Sequence, residues 1–214
     1  MYSTVIFDLD GTLLNTLDDL MDSTNMALEA YGFPKRSREE IRCFVGNGIR
    51  KLIERAVPEN TDVTDTDKVF NEFKRLYQIH CNDKTGPYPG ITGLLRELKK
   101  HNIKMGIATN KVKSAADKLN EIYFEGLIDE VAGVDDGIIP KPDRCMIDDL
   151  MKRLGALPES TLYIGDSQVD VATAKNAGLD MAAVLWGFRT REELEESGAK
   201  DFVYNPMEIL DRVL

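Results

Sequence analysis

The chain has 214 residues, a formal net charge of -10 and an apolar fraction of 43%. This length corresponds to one large domain or two modest ones, and the composition is that of a folded globular protein. An acidic chain lacks the basic patches that nucleic acids and anionic membranes require, so we expect neither as a partner. The 3 cysteines, Cys43, Cys81 and Cys145, are widely spaced, which indicates neither a disulfide framework nor a zinc site.

The start of the chain carries no targeting pattern. Residues 1–4 contain neither a basic region nor an apolar stretch, so we expect no signal peptide. No window reaches the ~20 apolar residues of a membrane span. We therefore expect a cytoplasmic protein without membrane association, and a monomer or a weak homodimer.

A short apolar run near the N-terminus predicts a buried parallel strand. It covers residues 5–7 and stops at Asp8, which therefore lies at the carboxyl end of the strand. From residue 16 to residue 82 the apolar residues recur at helical spacing, with a capping-box pattern at Ser37 and Glu40. We expect residues 16–82 to form a helical domain.

After a turn-rich segment near residue 86, strand and helix patterns alternate. Strands are predicted at residues 103–109, 130–134, 161–165 and 181–185, with a weak edge strand at 202–204. The alternation predicts an α/β fold: a doubly wound, mostly parallel, Rossmann-like sheet. Residues 1–15 and 83–214 would form this core domain, and residues 16–82 an inserted helical cap domain.

Polar segments follow the predicted strands at the edge where open α/β sheets bind ligands. They are residues 8–12, 109–110, 141–142 and 165–170. Each alone is typical of a turn or a helix cap. Together they supply an oxygen nucleophile, an acid/base group, phosphate-binding donors and a cation, which is what phosphoryl transfer requires.

The residue types suggest a role for each catalytic candidate. Asp8 is a carboxylate nucleophile, and Asp10, two residues on, points the same way and serves as general acid and base. Lys141 neutralises Asp8 and the transferring group. Gly11, Thr109 and Asn110 offer donors to the phosphoryl oxygens as substrate-binding residues.

The clustered acids predict a hard cation, because four carboxylates brought together would otherwise repel one another. Mg²⁺ takes oxygen ligands and bridges to a substrate phosphate. We expect Asp8 and Asp166 as direct carboxylate ligands and Asp10 through its backbone carbonyl. Asp170 lies about one helical turn beyond Asp166 and would bind in the second shell or through water.

These motifs resemble those of the haloacid dehalogenase superfamily. They are DLDGTLLNT from Asp8, IATNK from Ile107, KPDR from Lys141 and GDSQVD from Gly165. The resemblance covers the whole chain, including a helical cap after the first motif. It implies that Thr109 and Lys141 anchor phosphate, and it supports the roles given above to Asp8, Asp10 and Asp166. An aspartate at the position of Asp10 implies a phosphatase or phosphomutase rather than a dehalogenase.

Within that superfamily the chain most resembles phosphoglycolate phosphatases. The similar segments are residues 44–48 in the cap, 186–188 and 201–204. The resemblance implies that cap residue Asn47 contacts substrate. Of the nearby Arg50 and Lys51, one would reach a substrate carboxylate, and we take Arg50 as the substrate-binding candidate.

We therefore predict a Mg²⁺-dependent phosphatase that hydrolyses a small phosphomonoester, similar to phosphoglycolate, through an aspartyl-phosphate on Asp8. The alternatives are a phosphosugar mutase, which would need a bisphosphate for turnover, and a pyrophosphatase. A non-enzymatic binding module is disfavoured because Asp8, Asp10 and Lys141 are all present. The sequence does not determine the physiological substrate.

Overall fold

A computed structural model describes residues 1–134 and 138–214 and divides into two compact units. One unit consists of Met1–Leu14 together with Pro87–Leu214, and the other consists of Asn15–Gly86. The sequence predicted a core domain of residues 1–15 and 83–214 with an inserted cap of residues 16–82, and this division stays a prediction.

The core unit is built on a six-stranded sheet in the order β5-β4-β1-β6-β7-β8, with every adjacent pair parallel. Short strands at the two chain crossings, β2 and β3, pair separately. The predicted doubly wound, mostly parallel fold is confirmed. The strands are β1 Thr4–Phe7, β2 Leu14–Asn15, β3 Gly86–Pro87, β4 Lys104–Val112, β5 Glu130–Val134, β6 Thr161–Gly165, β7 Asp180–Val184 and β8 Phe202–Val203.

Both units also contain α-helices. The inserted unit contains α1 Leu17–Ala30, α2 Arg38–Phe44, α3 Ile49–Ala56 and α4 Val63–His80. The core unit contains α5 Ile91–Lys100, α6 Lys113–Phe124, α7 Cys145–Leu154, α8 Gln168–Ala177, α9 Arg191–Glu196 and α10 Leu210–Val213, with 3₁₀ turns at Pro158–Ser160 and Pro206–Ile209. None of the described helices is both long and apolar enough to cross a bilayer.

The side chains of β1 show why the sheet is covered on both faces. Val5 and Phe7 belong to a buried cluster with residues of α5 and α6, whereas Ile6 belongs to a second cluster with residues of α7 and α8. Alternate residues of a strand point to opposite faces, so both faces of this strand are buried. Its continuous apolar sequence follows from that position.

In the inserted unit, side chains cap the first turns of α2 and α4. Ser37 and Glu40 form the predicted capping box, in which each side chain accepts a hydrogen bond from the backbone N–H of the other residue. Asp62 accepts from the N–H of Asp65 at the start of α4. With this cap, α4 begins at Val63.

Strand β4 differs from the prediction, which ended it at residue 109. The strand continues to Val112, and its pairing with β5 shifts register between Ala108 and Val112. Such a bulge re-aims the side chains of the longer strand. It packs against Gly133, where an added Cβ would lie 2.7 Å from the Cα of Lys113 and 2.9 Å from the carbonyl oxygen of Lys111. A residue without a side chain is therefore required at that point of β5.

Candidate active site

The predicted catalytic segments meet at one edge of the core sheet. Strands β4, β1 and β6 are neighbours, and their carboxyl ends carry Thr109, Asp8 and Asp166 respectively. Lys141 lies beside them, since its side chain bonds directly to Asp8. The sheet order therefore brings together residues that are far apart in the sequence.

Lys141 is at the centre of the arrangement. Its ammonium nitrogen lies 2.8 Å from Oδ1 of Asp8, 2.8 Å from Oδ1 of Asp170 and 3.0 Å from the hydroxyl oxygen of Tyr163. The residue is only 5% exposed. The ammonium group has three N–H donors, and these three acceptors match them in number. The buried cation is therefore held in one position.

The positive charge of Lys141 and the negative charges of the carboxylates beside it stabilise one another. Burial by itself lowers the pKa of Lys141, but the negative charges of Asp170 and Asp8 outweigh it and raise that pKa well above its ordinary value. Burial raises the pKa of Asp170, but the charge and hydrogen bond of Lys141, with hydrogen bonds from Ser167 and Tyr163, lower it overall. Lys141 and Asp170 therefore form a charged pair inside the protein.

Asp8, Asp166 and Asp170 form a buried acidic cluster, in which one carboxylate oxygen of each lies within 4.8 Å of the others. Burial raises the pKa of Asp8 well above its ordinary value, and Asp170 and Asp166 add to the effect while Lys141 opposes it. Burial and the neighbouring Asp170 raise the pKa of Asp166 to about 7. Negative charge is thus unfavourable here unless a cation compensates it.

The donor set fits Mg²⁺, which prefers carboxylate oxygens. The oxygen of Asp8 that does not bond Lys141 accepts no hydrogen bond from the described residues. Asp166 accepts from the N–H of Phe188 at 2.6 Å and from the Thr12 hydroxyl at 3.4 Å. Both carboxylate oxygens of Asp170 already accept hydrogen bonds. One accepts from Lys141 and Tyr163, and the other accepts from the backbone N–H and the side-chain hydroxyl of Ser167. The fit is therefore best for Asp8 and Asp166 as direct ligands.

Two glycines leave room for the Asp166 carboxylate. An added Cβ at Gly11, whose φ is +92°, would lie 2.3 Å from Oδ2 of Asp166, and one at Gly187 would lie 2.3 Å from its Cβ. The N–H of Gly11 is donated to the carbonyl oxygen of Leu14 at 2.8 Å. Binding a phosphoryl oxygen through that N–H would break this bond, so its predicted substrate contact stays a prediction. The structure instead assigns to Gly11 a close approach to Asp166.

Thr109 and Asn110 lie in the bulged end of β4. Asn110 donates from Nδ2 to the carbonyl oxygen of Lys141 at 3.0 Å and accepts from the N–H of Lys141 at 2.8 Å. This pair of hydrogen bonds attaches the lysine loop, including its cis Lys141–Pro142 peptide, to the sheet. Thr109 is buried, and its hydroxyl oxygen accepts from the N–H of Lys111 at 3.2 Å. Phosphate binding by either residue stays a prediction.

Comparison with known proteins agrees with this geometry. The sequence matches the family of haloacid dehalogenase-like hydrolases over residues 5–184. The chain belongs to this family. A phosphoglycolate phosphatase from Mesorhizobium japonicum is 34% identical over 197 residues, which cover 89% of this chain and 86% of the relative. An N-acetylmuramic acid 6-phosphate phosphatase from Pseudomonas aeruginosa is 31% identical over 209 residues, covering 97% and 92%.

A solved structure has the same fold as this haloacid dehalogenase-like hydrolase. A protein from Lactobacillus delbrueckii subsp. bulgaricus, whose assignment as a phosphoglycolate phosphatase is itself inferred, has a TM-score of 0.95 and 33% identity. The alignment covers 100% of this chain and 98% of the other. The predictions of the family and of the enzyme class, a hydrolase of phosphoric monoesters, are confirmed by these relatives.

The predicted cap residues of this hydrolase both bond within the inserted unit. Asn47 accepts a hydrogen bond from Arg55 at 2.9 Å. Arg50 pairs with Glu54 and Asp67, and its guanidinium lies over the ring of Phe70. Substrate binding by Asn47 and Arg50 stays a prediction.

Sequence reasoning missed two residues of the site. Tyr163 lies within the strand predicted at residues 161–165 and was not singled out as a site residue, yet its hydroxyl bonds Lys141 and Asp170. Lys111 ends the second motif and pairs with Asp10, with its ammonium 2.9 and 3.1 Å from the two carboxylate oxygens. The available signal for Lys111 was its spacing two residues after Thr109, which places both on one face of a strand.

Proposed function

We propose that this hydrolase removes the phosphoryl group from a small-metabolite phosphomonoester, of which phosphoglycolate is the first candidate, through an aspartyl-phosphate on Asp8. The observation that carries the proposal is the buried Lys141 ammonium, which joins Asp8 to Asp170 next to Asp166. The phosphoglycolate phosphatases among the relatives support the choice of substrate. Mg²⁺ bound by the acidic cluster would supply positive charge to the phosphoryl oxygens.

In the first step, an oxygen of Asp8 attacks phosphorus and the bond from phosphorus to the ester oxygen breaks. Asp10 gives its proton to that oxygen, which therefore leaves as a neutral hydroxyl group of the product. Lys141 already bonds the other oxygen of Asp8, which directs the nucleophile and offsets its charge. The phosphoryl group is then held as an acyl phosphate on Asp8.

In the second step, water attacks the phosphorus of this intermediate. Asp10, now a carboxylate, takes a proton from the water, and the bond between phosphorus and Asp8 breaks. Inorganic phosphate leaves, and both aspartates return to their starting states. One residue thus serves as acid and then as base, so the proton count balances over the cycle.

The inserted unit, residues 15–86, is proposed to act as a cap that contacts the part of the substrate that is not transferred. Arg50 would pair with a substrate carboxylate and Asn47 would accept or donate a hydrogen bond. A carboxylate is common to phosphoglycolate and to phosphorylated sugar acids. The relative that acts on N-acetylmuramic acid 6-phosphate makes that sugar acid phosphate the second candidate substrate.

The test is phosphate release from a panel containing phosphoglycolate, N-acetylmuramic acid 6-phosphate, hexose phosphates and pyrophosphate. Each compound is assayed with Mg²⁺, with a chelator and with Asp8→Asn, which keeps the shape of the nucleophile without its charge. Release that needs both Mg²⁺ and Asp8 supports the mechanism, and the highest kcat/KM identifies the substrate class. Turnover only with added sugar bisphosphate would favour a mutase, and no release from any compound would overturn the proposal.

A further inference from the structure

Lys111 forms a buried ion pair with Asp10. The side chain of Lys111 is 4% exposed and that of Asp10 is 18% exposed. The ammonium nitrogen lies 2.9 Å from one carboxylate oxygen of Asp10 and 3.1 Å from the other. In the described part of the chain, no other side chain donates a hydrogen bond to that carboxylate.

We propose that Lys111 is a positioning residue for Asp10: its ammonium donates to both oxygens of the ionised carboxylate, and to one of them when the other carries the proton that passes to the leaving group. The proposal rests on the proposed function, in which Asp10 is the general acid and base. A contact to both oxygens fixes the rotation of the carboxylate about its own axis as well as its direction. Proton transfer depends steeply on such alignment, because the reacting oxygen must come within hydrogen-bond distance of the leaving group or the water.

The backbone of β4 accounts for the inward direction of Lys111. Lys111 lies two residues after the buried Thr109 and on the same side of β4, so it is buried while the next residue, Val112, is exposed. The N–H of Lys111 donates to the hydroxyl of Thr109, and its carbonyl oxygen packs against Gly133. The lysine is therefore held at its backbone as well as at its ammonium group.

Two roles for Lys111 predict different substrate dependences. A lysine that binds the phosphoryl group directly contributes equally to every phosphate ester, because that group is common to all of them. A lysine that orients the general acid matters most where the leaving oxygen needs a proton. Alkyl alcohols are poor leaving groups and need it, whereas p-nitrophenolate leaves readily without it.

The experiment compares kcat/KM for p-nitrophenyl phosphate, phenyl phosphate and phosphoglycolate at saturating Mg²⁺. This ratio reports phosphoryl transfer to Asp8, the step in which the leaving group departs. For Lys111→Met we expect a loss of about 100-fold with phosphoglycolate and less than about threefold with p-nitrophenyl phosphate. Lys111→Arg, which keeps the charge and two donors, should recover part of the loss with phosphoglycolate.

Lys113→Met is the matched control, because Lys113 is a nearby lysine that forms an ion pair with an acid outside the site, Asp117, and is partly exposed on α6. It should leave all three ratios unchanged. Should Lys111→Met fail to fold, as judged by circular dichroism, Lys111→Gln takes its place. An equal loss for all three esters, or no loss, would overturn the positioning role.

The same measurements distinguish a failure of the Lys111 role from a failure of the proposed phosphatase activity. If the wild-type protein releases phosphate in an Asp8-dependent manner and the Lys111 variants show no dependence on the leaving group, only the role of Lys111 fails. If the wild-type protein hydrolyses none of the esters, both fail together.

Discussion

The ammonium group of Lys141 joins the carboxylates of Asp8 and Asp170, at 2.8 Å from each. Asp8 follows the first strand and Asp170 lies in the first turn of α8, so a single cation connects the nucleophile to the helix that follows the motif at residue 165. Tyr163 completes the group as the third acceptor for Lys141. The following predictions test this arrangement and its surroundings.

Tyr163→Phe removes the hydroxyl that accepts from Lys141 and donates to Asp170. We expect kcat to fall about tenfold, the equivalent of one hydrogen bond of about 1.4 kcal/mol, because Lys141 would lose one of its three contacts. Steady-state kinetics checks the value. Tyr2→Phe is the control, because Tyr2 bonds Asp180 at the amino end of β7, on the edge of the parallel sheet opposite these motifs, and its loss should leave kcat unchanged. Wild-type kcat in Tyr163→Phe would contradict the prediction.

The raised pKa of Asp166, about 7 against an ordinary 3.8, predicts how pH acts on the metal-free protein. Between these two values the folded state binds more protons than the unfolded state. The contribution of Asp166 to stability is therefore present at low pH and is lost as pH rises toward 7. Urea unfolding in chelator at pH 5, 6 and 7 should show this decrease, and Asp166→Asn should make it smaller, with the remainder due to Asp8, whose pKa burial also raises.

Mg²⁺ binding should show the opposite dependence, because the metal requires the ionised carboxylate. Below about pH 7, the pKa of Asp166, affinity for Mg²⁺ should weaken by up to about tenfold per pH unit. The measurement is the rise in Tm on Mg²⁺ addition at pH 6 and pH 8. A rise that is equal at both pH values would argue against Asp166 as a ligand.

Gly187→Ala should weaken metal binding, since the new methyl group would lie 2.3 Å from Cβ of Asp166 and force that residue to move. We expect the apparent affinity for Mg²⁺ to fall by about tenfold or more, with a loss of about 1–3 kcal/mol in stability from overpacking. Gly93→Ala is the control, because Gly93 lies in α5 with open space around it. That change should stabilise the protein by about 0.5–1 kcal/mol and leave Mg²⁺ binding intact.

Asp19 is expected to stabilise the inserted unit. Its buried carboxylate accepts from the N–H of Lys84 at 3.0 and 3.1 Å and from the N–H of Thr85 at 2.9 Å. Asp19→Asn replaces one of the accepting oxygens with an NH₂ group, which cannot accept from the backbone N–H groups. The change should lower the free energy of unfolding, measured with urea, by about 2–3 kcal/mol. Asp22→Asn, which removes only an exposed ion pair with Lys84, should cost less than about 1 kcal/mol. Equal effects of the two changes would show that burial of Asp19 is unimportant.

Most of the fold could be predicted from the chain because its patterns are local. The apolar runs at residues 130–134 and 161–165 became β5 and β6 with the predicted bounds. The capping box at Ser37 and Glu40 formed as expected. Periodicity and capping depend on residues a few positions apart, so a sequence records them directly.

The candidate catalytic and metal-binding residues, Asp8, Asp10, Lys141 and Asp166, could also be identified from the sequence. Only the tertiary structure showed which other side chains contact these four residues. Tyr163 became a partner of Lys141 because β6 lies beside β1, and Lys111 reached Asp10 because β4 lies on the other side of β1. Strand order and register depend on contacts between distant parts of the chain, which no local pattern specifies.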